Sequence, residues 1–267
     1  MKTGSLDLLI CPACRSPLAL EAARGSPILA GSLQCSRCSR SYPIMDGIPR
    51  FIQPEELTGY NRRFSRLYDL FSAFYRLFSR LAFACLGIRE ETARREILDR
   101  LEPAGGRVLE VSIGPGVNLP YLVQRQDVRE LYGLDISLGQ LTNCQRFLRR
   151  RGWNADLFLG NAERLPFADD SFEAVFHIGG INFFNDKKAA IDEMIRVAKP
   201  GTRILISDET EKGAREYERF IPGFKRSFTG IRHAVQVPLD LVPPEMQEKH
   251  VFEVWKGWFY CLEFRKP

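Results

Sequence analysis

The first residues, MKTGSLDLLICPAC, contain no apolar run long enough for a signal peptide. That absence leads to the expectation of a cytoplasmic protein. An uninterrupted membrane span is missing as well. The helical stretch from Tyr60 to Gly87 is broken by Arg62, Arg63, Arg66, Arg76 and Arg80, which excludes it as a transmembrane helix. Nor does either sign of charge dominate. A net charge of +5 and a pI near 8.8 permit an anionic partner such as RNA or an acidic membrane surface and require neither. What the chain does have is apolar material: 45% of its 267 residues, enough for one α/β domain of ordinary size and a small appendage.

Arg107 to Val117, RVLEVSIGPGV, organises the rest. A run of β-formers enters a glycine-punctuated turn, and a helical pattern follows. Such a strand, loop and helix N-terminus can hold a nucleotide-like ligand against backbone N–H groups. About 20 residues further on, LYGLD (131–135) is another short buried strand that ends on the carboxylate of Asp135, where a ribose diol would be gripped. On these residues alone NAD, FAD and S-adenosylmethionine all remain open.

Four of the seven cysteines lie in the first 38 residues, as Cys11-Pro-Ala-Cys14 and Cys35-Ser-Arg-Cys38. Each C-x2-C knuckle presents two thiolates on a tight turn, and two knuckles complete a tetrahedron around zinc. With all four positions filled by sulfur, no site is left for water, so the metal is expected to be structural. Cys85, Cys144 and Cys261 sit in apolar or helical contexts and read as packed thiols. The segment SYPIMDGIPRFI (41–52) is expected to fasten this ribbon onto the larger domain.

Residues 60–86 carry apolar side chains at helical spacing with a broad face. They can be read as a helix packed on the main domain, a lid over an apolar substrate, or a basic amphipathic helix resting on a membrane. Beyond Gly106 strands and helices alternate, with strands at 107–111, 130–134, 155–159, 172–178 and 202–208. Helices are expected near 117–126, from Ser137 to Arg151, and near 186–198. Two alternating runs, 250–256 and 258–265, form a terminal hairpin. The expected architecture is α/β: a doubly wound, mostly parallel seven-stranded sheet with an antiparallel terminal hairpin. A zinc ribbon would occupy residues 1–52, a helical linker or lid 53–105, and the main domain 106–267.

These pieces resemble the class I S-adenosylmethionine-dependent methyltransferases. VLEVSIGPGVN is similar to that family's first motif and GLDIS to its second, while LGNAERLPFADDSFEAVF is similar to its third and fourth run together. INFFNDKKAAIDEMIRVAKPGTRILISDE is similar to ubiquinone/menaquinone C-methyltransferase-like proteins, and the ribbon resembles the Trm112 type. The resemblance implies S-adenosylmethionine as cofactor, S-adenosylhomocysteine as product, and roles for particular residues. Glu110 would face the methionine ammonium, and Gly114 and Gly116 would let the backbone approach. Asp135 would accept from both ribose hydroxyls with Ile136 beside the adenine. Asn161 and Ala162 would lie at the adenine edge, and His177 next to the transferring methyl group. Ser112 stands where the family has its first glycine.

Transfer of a methyl group to carbon or to a phenol oxygen benefits from a base. His177, Asp69 in the lid and His233 are the candidates, and no spacing argument chooses among them. The apolar supply near the expected pocket, with Tyr60, Phe64, Tyr68 and Phe184 as lid and substrate residues, favours a small lipophilic or aromatic acceptor over a nucleobase. A second reading is an RNA base methyltransferase that grips phosphates through Arg15, Arg37, Arg40, Arg50 and the helix end RFLRRR. Against it, strand four ends HIGGIN and not the Asn/Asp-Pro-Pro-aromatic signature of many amino-directed nucleic-acid methyltransferases. A third reading is a non-catalytic scaffold whose ribbon recruits a partner. The glycine spacing and terminal hairpin disfavour an NAD-linked dehydrogenase.

Overall fold

The computed structural model describes residues 1–25, 27–220 and 235–267. The N-terminal part is a four-stranded antiparallel sheet of β1 (Leu18–Arg24), β2 (Ala30–Cys35), β3 (Ser41–Met45) and β4 (Ile48–Pro49) in that spatial order. Alternation along β3 turns Tyr42 and Ile44 inward. Asp46 and Gly47, at φ 54° and 79°, make the two-residue turn into β4. Both central residues are left-handed, which is the geometry Asp-Gly favours in a tight hairpin.

The main sheet has seven strands: β5 (Gly106–Val111), β6 (Val128–Asp135), β7 (Asp156–Leu159), β8 (Ala174–Ile178), β9 (Arg203–Glu209), β10 (Gln247–Val254) and β11 (Phe259–Arg265). Their order is β10-β11-β9-β8-β5-β6-β7. Strands β5 to β9 are mutually parallel, and β11 runs antiparallel to both β9 and β10. The parallel strands are buried along nearly their whole length, as a sheet covered on both faces requires. The direction of winding reverses between β5 and β8, so a crevice opens beyond their carboxyl ends.

Among the described residues, seven helices surround the sheet: α1 (Gly59–Phe71), α2 (Tyr75–Leu86), α3 (Glu90–Leu98), α4 (Leu119–Leu122), α5 (Leu138–Arg151), α6 (Lys187–Val197) and α7 (Glu211–Phe220). Ser137 caps α5 by accepting from Gln140 N, and Asp186 caps α6 by accepting from Ala189 N. Residues of α3, α4 and α5 pack with Val108, Phe176 and Leu205 on one face. Residues of α6 pack with Leu109, Val175 and Ile206 on the other, and Leu9, Leu33 and Ile44 of the ribbon join that same core. The ribbon is tied on by Ile10 N donating to Pro166 O at 3.0 Å and Phe51 N donating to Leu159 O at 2.8 Å. Segment 41–52 thus contains a fastening contact, as its apolar anchors suggest.

Three elements differ from the sequence reading. The helix expected over 60–86 is two helices, separated by a 3-10 turn at Ser72–Phe74. There Ser72 Oγ donates to the carbonyl of Asp69 at 3.0 Å, a side-chain bond that competes with the helix ladder and bends it. The helix expected over 117–126 shrinks to the single turn of α4. Helix α7 was not foreseen at all. Cys144 and Cys261 are buried, as read from their contexts. Among the described residues, no helix is long and apolar enough to cross a membrane.

Candidate functional site

Beyond the carboxyl ends of β5, β6, β8 and β9 lies a cavity roofed by α1 and α2. Its wall includes Glu110, Ser112, Gly114, Asp135, Ile136, Asn161 and Ala162. Seven of the residues expected around a cofactor therefore meet in one place. Strand geometry explains why: each stands at or just past the end of a neighbouring parallel strand.

Glu110 is the most informative of them. It is 2% exposed, its Oε1 accepts from Asn118 Nδ2 at 2.6 Å, and its Oε2 has no hydrogen-bond partner among the described residues. Burial pushes its carboxyl up to about 8, against the pull of Asn118 and Arg94. A buried carboxylate oxygen left without a donor costs free energy that a cationic ligand group would recover. Behind it, Arg94 donates to Asn118 Oδ1 at 2.7 Å, to Glu90 Oε1 at 2.9 Å and to Ser79 Oγ at 3.0 Å. The sequence reading missed Arg94 and Asn118 as site residues. Nothing local in the sequence marks them, because they are brought to Glu110 by α3 and the start of α4.

Asp135 accepts from Gly114 N at 2.8 Å and from Ser137 N at 2.9 Å, which fixes its carboxylate at the lip of the cavity. Burial nevertheless raises it to about 6, those backbone N–H groups opposing the rise. The loop before it needs left-handed backbone at Ser112, Gly114 and Gly116, at φ 63°, 55° and 75°. Ser112 adopts the conformation that glycine would take more cheaply, a strain on the order of 1 kcal/mol. Gly116 serves packing, since a Cβ there would come within 2.5 Å of Leu119 and 2.8 Å of Cys144. Asn161 lines the cavity and also caps its own turn, accepting from Glu163 N at 3.0 Å.

The roof is held by specific bonds. Asp69 Oδ1 accepts from Ser137 Oγ at 2.6 Å and from Gly139 N at 2.8 Å, pinning α1 to the start of α5. Asn61 Nδ2 donates to Glu163 Oε1 at 2.8 Å. From this roof Phe64, Tyr68, Tyr75 and Phe83 face the cavity, with Phe64 stacked on Phe183 at 3.9 Å. Phe184, Trp255, Trp258 and Phe259 complete an aromatic end, and Glu209 lies among them. Trp255, Trp258 and Glu209 also escaped the sequence reading.

Besides Gly116, three expected positions among the described residues lie outside the cavity wall. His177 is fully buried, is not part of the cavity wall, and bonds Val111 O through Nδ1 at 2.9 Å. Alternation is the reason. Glu110 pairs with Phe176 and faces the cavity, so the next pair, Val111 and His177, turns to the opposite face, and Ile178 reaches the wall instead. Burial lowers the His177 pKa. Asp69 is engaged by α5 and does not line the cavity, so it is an anchor of the roof. Tyr60 is 38% exposed and lies outside the wall. His233 lies outside the described residues.

At the ribbon, Cys11, Cys14, Cys35 and Cys38 converge with their sulfur atoms all within 4.8 Å of one another. Cys11 and Cys38 are 3.6 Å apart and Cys14 and Cys35 3.4 Å. A tetrahedron with 2.3 Å zinc–sulfur bonds has edges of about 3.8 Å, so the donor set and its spacing fit structural zinc. Of the arginines considered for phosphate contact, Arg15 is paired with Glu193 at 3.1 Å and Arg40 with Glu56 at 3.7 Å.

Comparison with known proteins agrees with this geometry. Residues 109–206 match the family described as "Methyltransferase domain" and residues 5–47 the family described as "Trm112p-like protein". The chain is 38% identical over 117 residues to a demethylmenaquinone methyltransferase of Renibacterium salmoninarum, covering 43% of this chain and 46% of that protein. It is 34% identical over 108 residues to a phthiotriol/phenolphthiotriol dimycocerosates methyltransferase of Mycobacterium ulcerans, covering 40% and 39%. The chain thus spans less than half the length of these relatives. A chain from the Haloferax volcanii complex of the Trm112 methyltransferase activator with a methyltransferase superposes with a TM-score of 0.52. Its identity is 18%, over 75% of this chain and 97% of that one.

Proposed function

We propose that this chain, a class I S-adenosylmethionine-dependent methyltransferase domain joined to a Trm112-like zinc ribbon, methylates a small lipophilic or aromatic acceptor at carbon or oxygen. The observation that carries the proposal is the pairing of an unsatisfied Glu110 carboxylate with the lip carboxylate of Asp135 in a single cavity. An ammonium at one end and a ribose diol further along would satisfy them in turn. Asn161 and Ala162 would border the base, with Ile136 against its face. The bound cofactor supplies a methyl group already activated by the positive charge on sulfur. The protein then has to align the acceptor and exclude water. The α1–α2 roof and the aromatic end suit both tasks, and neither needs a metal, which leaves zinc to the ribbon.

The acceptor class is inferred from the wall. Phe64, Tyr68, Phe183, Phe184, Trp255 and Trp258 offer flat apolar surface and few groups that could read a nucleobase edge. The two curated relatives are named for a quinone precursor and for complex lipids, which supports the same class. The outer face of the roof favours delivery from an anionic lipid surface. Leu70, Phe74, Leu77 and Leu81 are 74%, 55%, 55% and 52% exposed, and Arg62, Arg63, Arg66 and Arg80 are exposed beside them. Calorimetric titration with S-adenosylmethionine tests the cofactor half of the proposal: micromolar binding is expected, and a silent titration would sink it.

A further inference from the structure

We propose that Glu209 is the base of the acceptor site, and that the acceptor presents to it a hydroxyl made acidic by a ring or double bond, a phenol or an enol. This rests on the methyl-transfer reading above.

Among the described residues, three carboxylates line the cavity: Glu110, Asp135 and Glu209. The first two are accounted for by an ammonium and a ribose. Glu209 is left over at the aromatic end. It closes β9 directly opposite Phe259 of β11, and the next backbone N–H, that of Thr210, donates to Trp258 O at 2.9 Å. On its other side, Asn182 Nδ2 donates to the Glu209 carbonyl at 3.3 Å and so holds the loop bearing Phe183. Glu209 is 8% exposed, and its Oε2 has no hydrogen-bond partner among the described residues.

The neighbouring carboxylate shows what a purely structural acid looks like here. Asp208 precedes it on β9 and is fully buried. It accepts from Gly180 N at 3.0 Å, Glu209 N at 2.9 Å and Asn182 N at 2.7 Å, so both its oxygens are used by backbone. Glu209, beside Asp208 and Asn182, keeps its Oε2 without a donor among the described residues. Burial first, then the charge of Asp208, holds its carboxyl well above the usual range. Tyr68 and Tyr75 in the roof are raised as well, chiefly by burial, so they stay neutral donors over the same space.

A sulfonium cation in this cavity would favour the carboxylate form of Glu209. The base would therefore be generated when the methyl donor arrives. The hydroxyl proton of the acceptor then passes to Glu209. The electron pair left on the acceptor, on oxygen or on the ring carbon conjugated with it, forms the new bond to methyl. The carbon–sulfur bond breaks with its pair retained on sulfur, so one proton and one methyl group are moved and no redox partner is needed.

The test is infrared difference spectroscopy on the whole protein with Glu209→Gln as reference. A protonated-carboxyl band absent from the variant is expected in the free wild type. It should vanish on saturation with S-adenosylmethionine and persist with S-adenosylhomocysteine, which carries the same ammonium and ribose on a neutral sulfur. A band that survives S-adenosylmethionine, or one the variant does not remove, overturns the proposal. Should the Gln form fail to fold, Glu209→Asp must shift that band and serves instead. With 1,4-dihydroxynaphthalene as probe acceptor, E209Q should lower kcat about 100-fold or more, weaken S-adenosylmethionine binding about 10-fold while leaving S-adenosylhomocysteine binding within about twofold, and abolish the acid limb of the kcat profile. A protein that binds no cofactor in the calorimeter fails the functional reading. One that binds it yet keeps the band fails the Glu209 assignment alone.

Discussion

Asn118 holds one oxygen of Glu110 at 2.6 Å and leaves the other without a partner. On the proposed reading, that asymmetry would make Glu110 both a partner for the cofactor ammonium and a proton reservoir. Its carboxyl, at about 8, is mostly protonated at pH 7, and a bound ammonium would drive it to the carboxylate. Binding of S-adenosylhomocysteine, whose neutral sulfur leaves the Glu209 proton in place, should therefore release close to one proton at pH 7, measured by calorimetry in buffers of different ionisation enthalpy. Glu110→Gln should abolish the release and weaken binding by about 10- to 100-fold, the scale of a charged hydrogen bond. Wild-type binding without proton release would contradict the assignment.

The same group sets a pH dependence of stability. In the unfolded chain the Glu110 carboxyl titrates near 4.5, and in the folded protein near 8. Between those values the native state holds the proton that the unfolded state has lost, so stability falls as pH rises. Asp135 adds the same sign between 3.8 and about 6. The ligand-free protein should melt progressively lower as pH is raised through this window. Glu110→Gln should flatten the upper part of the curve, and an unchanged slope in the variant would place the effect elsewhere.

Asp69 is exposed, yet it ties α1 to α5 through Ser137 and Gly139. Asp69→Ala should loosen the roof: faster amide exchange across 59–71, with binding of cofactor and acceptor weakened by roughly 1 kcal/mol. Because no reacting atom is assigned to it, kcat at saturation should change less than KM. A collapse of kcat with KM unchanged would return Asp69 to the list of bases.

Zinc content should fall on Cys38→Ser, and the melting temperature with it. The ribbon is small and shares its core with the main sheet, so its metal is coupled to the stability of both. Full metal occupancy in the variant would rule out the four-sulfur site.

Replacing Leu77 and Leu81 by serine removes exposed apolar surface without touching the cavity. Co-sedimentation with phosphatidylglycerol-containing vesicles should drop, and cofactor affinity should not. Equal sedimentation of wild type and variant would dismiss the outer face of the roof as a lipid contact.

What was legible in the sequence was local. Glu110, Ser112, Asp135 and Asn161 each close or follow a continuous buried strand, so their meeting at one edge follows from parallel packing alone. The four cysteines were equally readable, because a knuckle is a local turn. His177 was not, because its face depends on how β8 registers with β5, a relation between chain segments 66 residues apart. Arg94, Glu209 and Trp258 reach the cavity from three separate elements, and only tertiary packing joins them. The break at Ser72 rests on one hydroxyl choosing a carbonyl of its own helix, a choice the apolar period does not record.

The most direct measurement of the central claim is transfer of a labelled methyl group from S-adenosylmethionine in a cell extract, partitioned between organic solvent and nuclease-sensitive RNA. The account predicts label in the organic phase, lost in Glu110→Gln. Label that enters RNA instead, or no label in either phase from a protein that binds the cofactor, would contradict it.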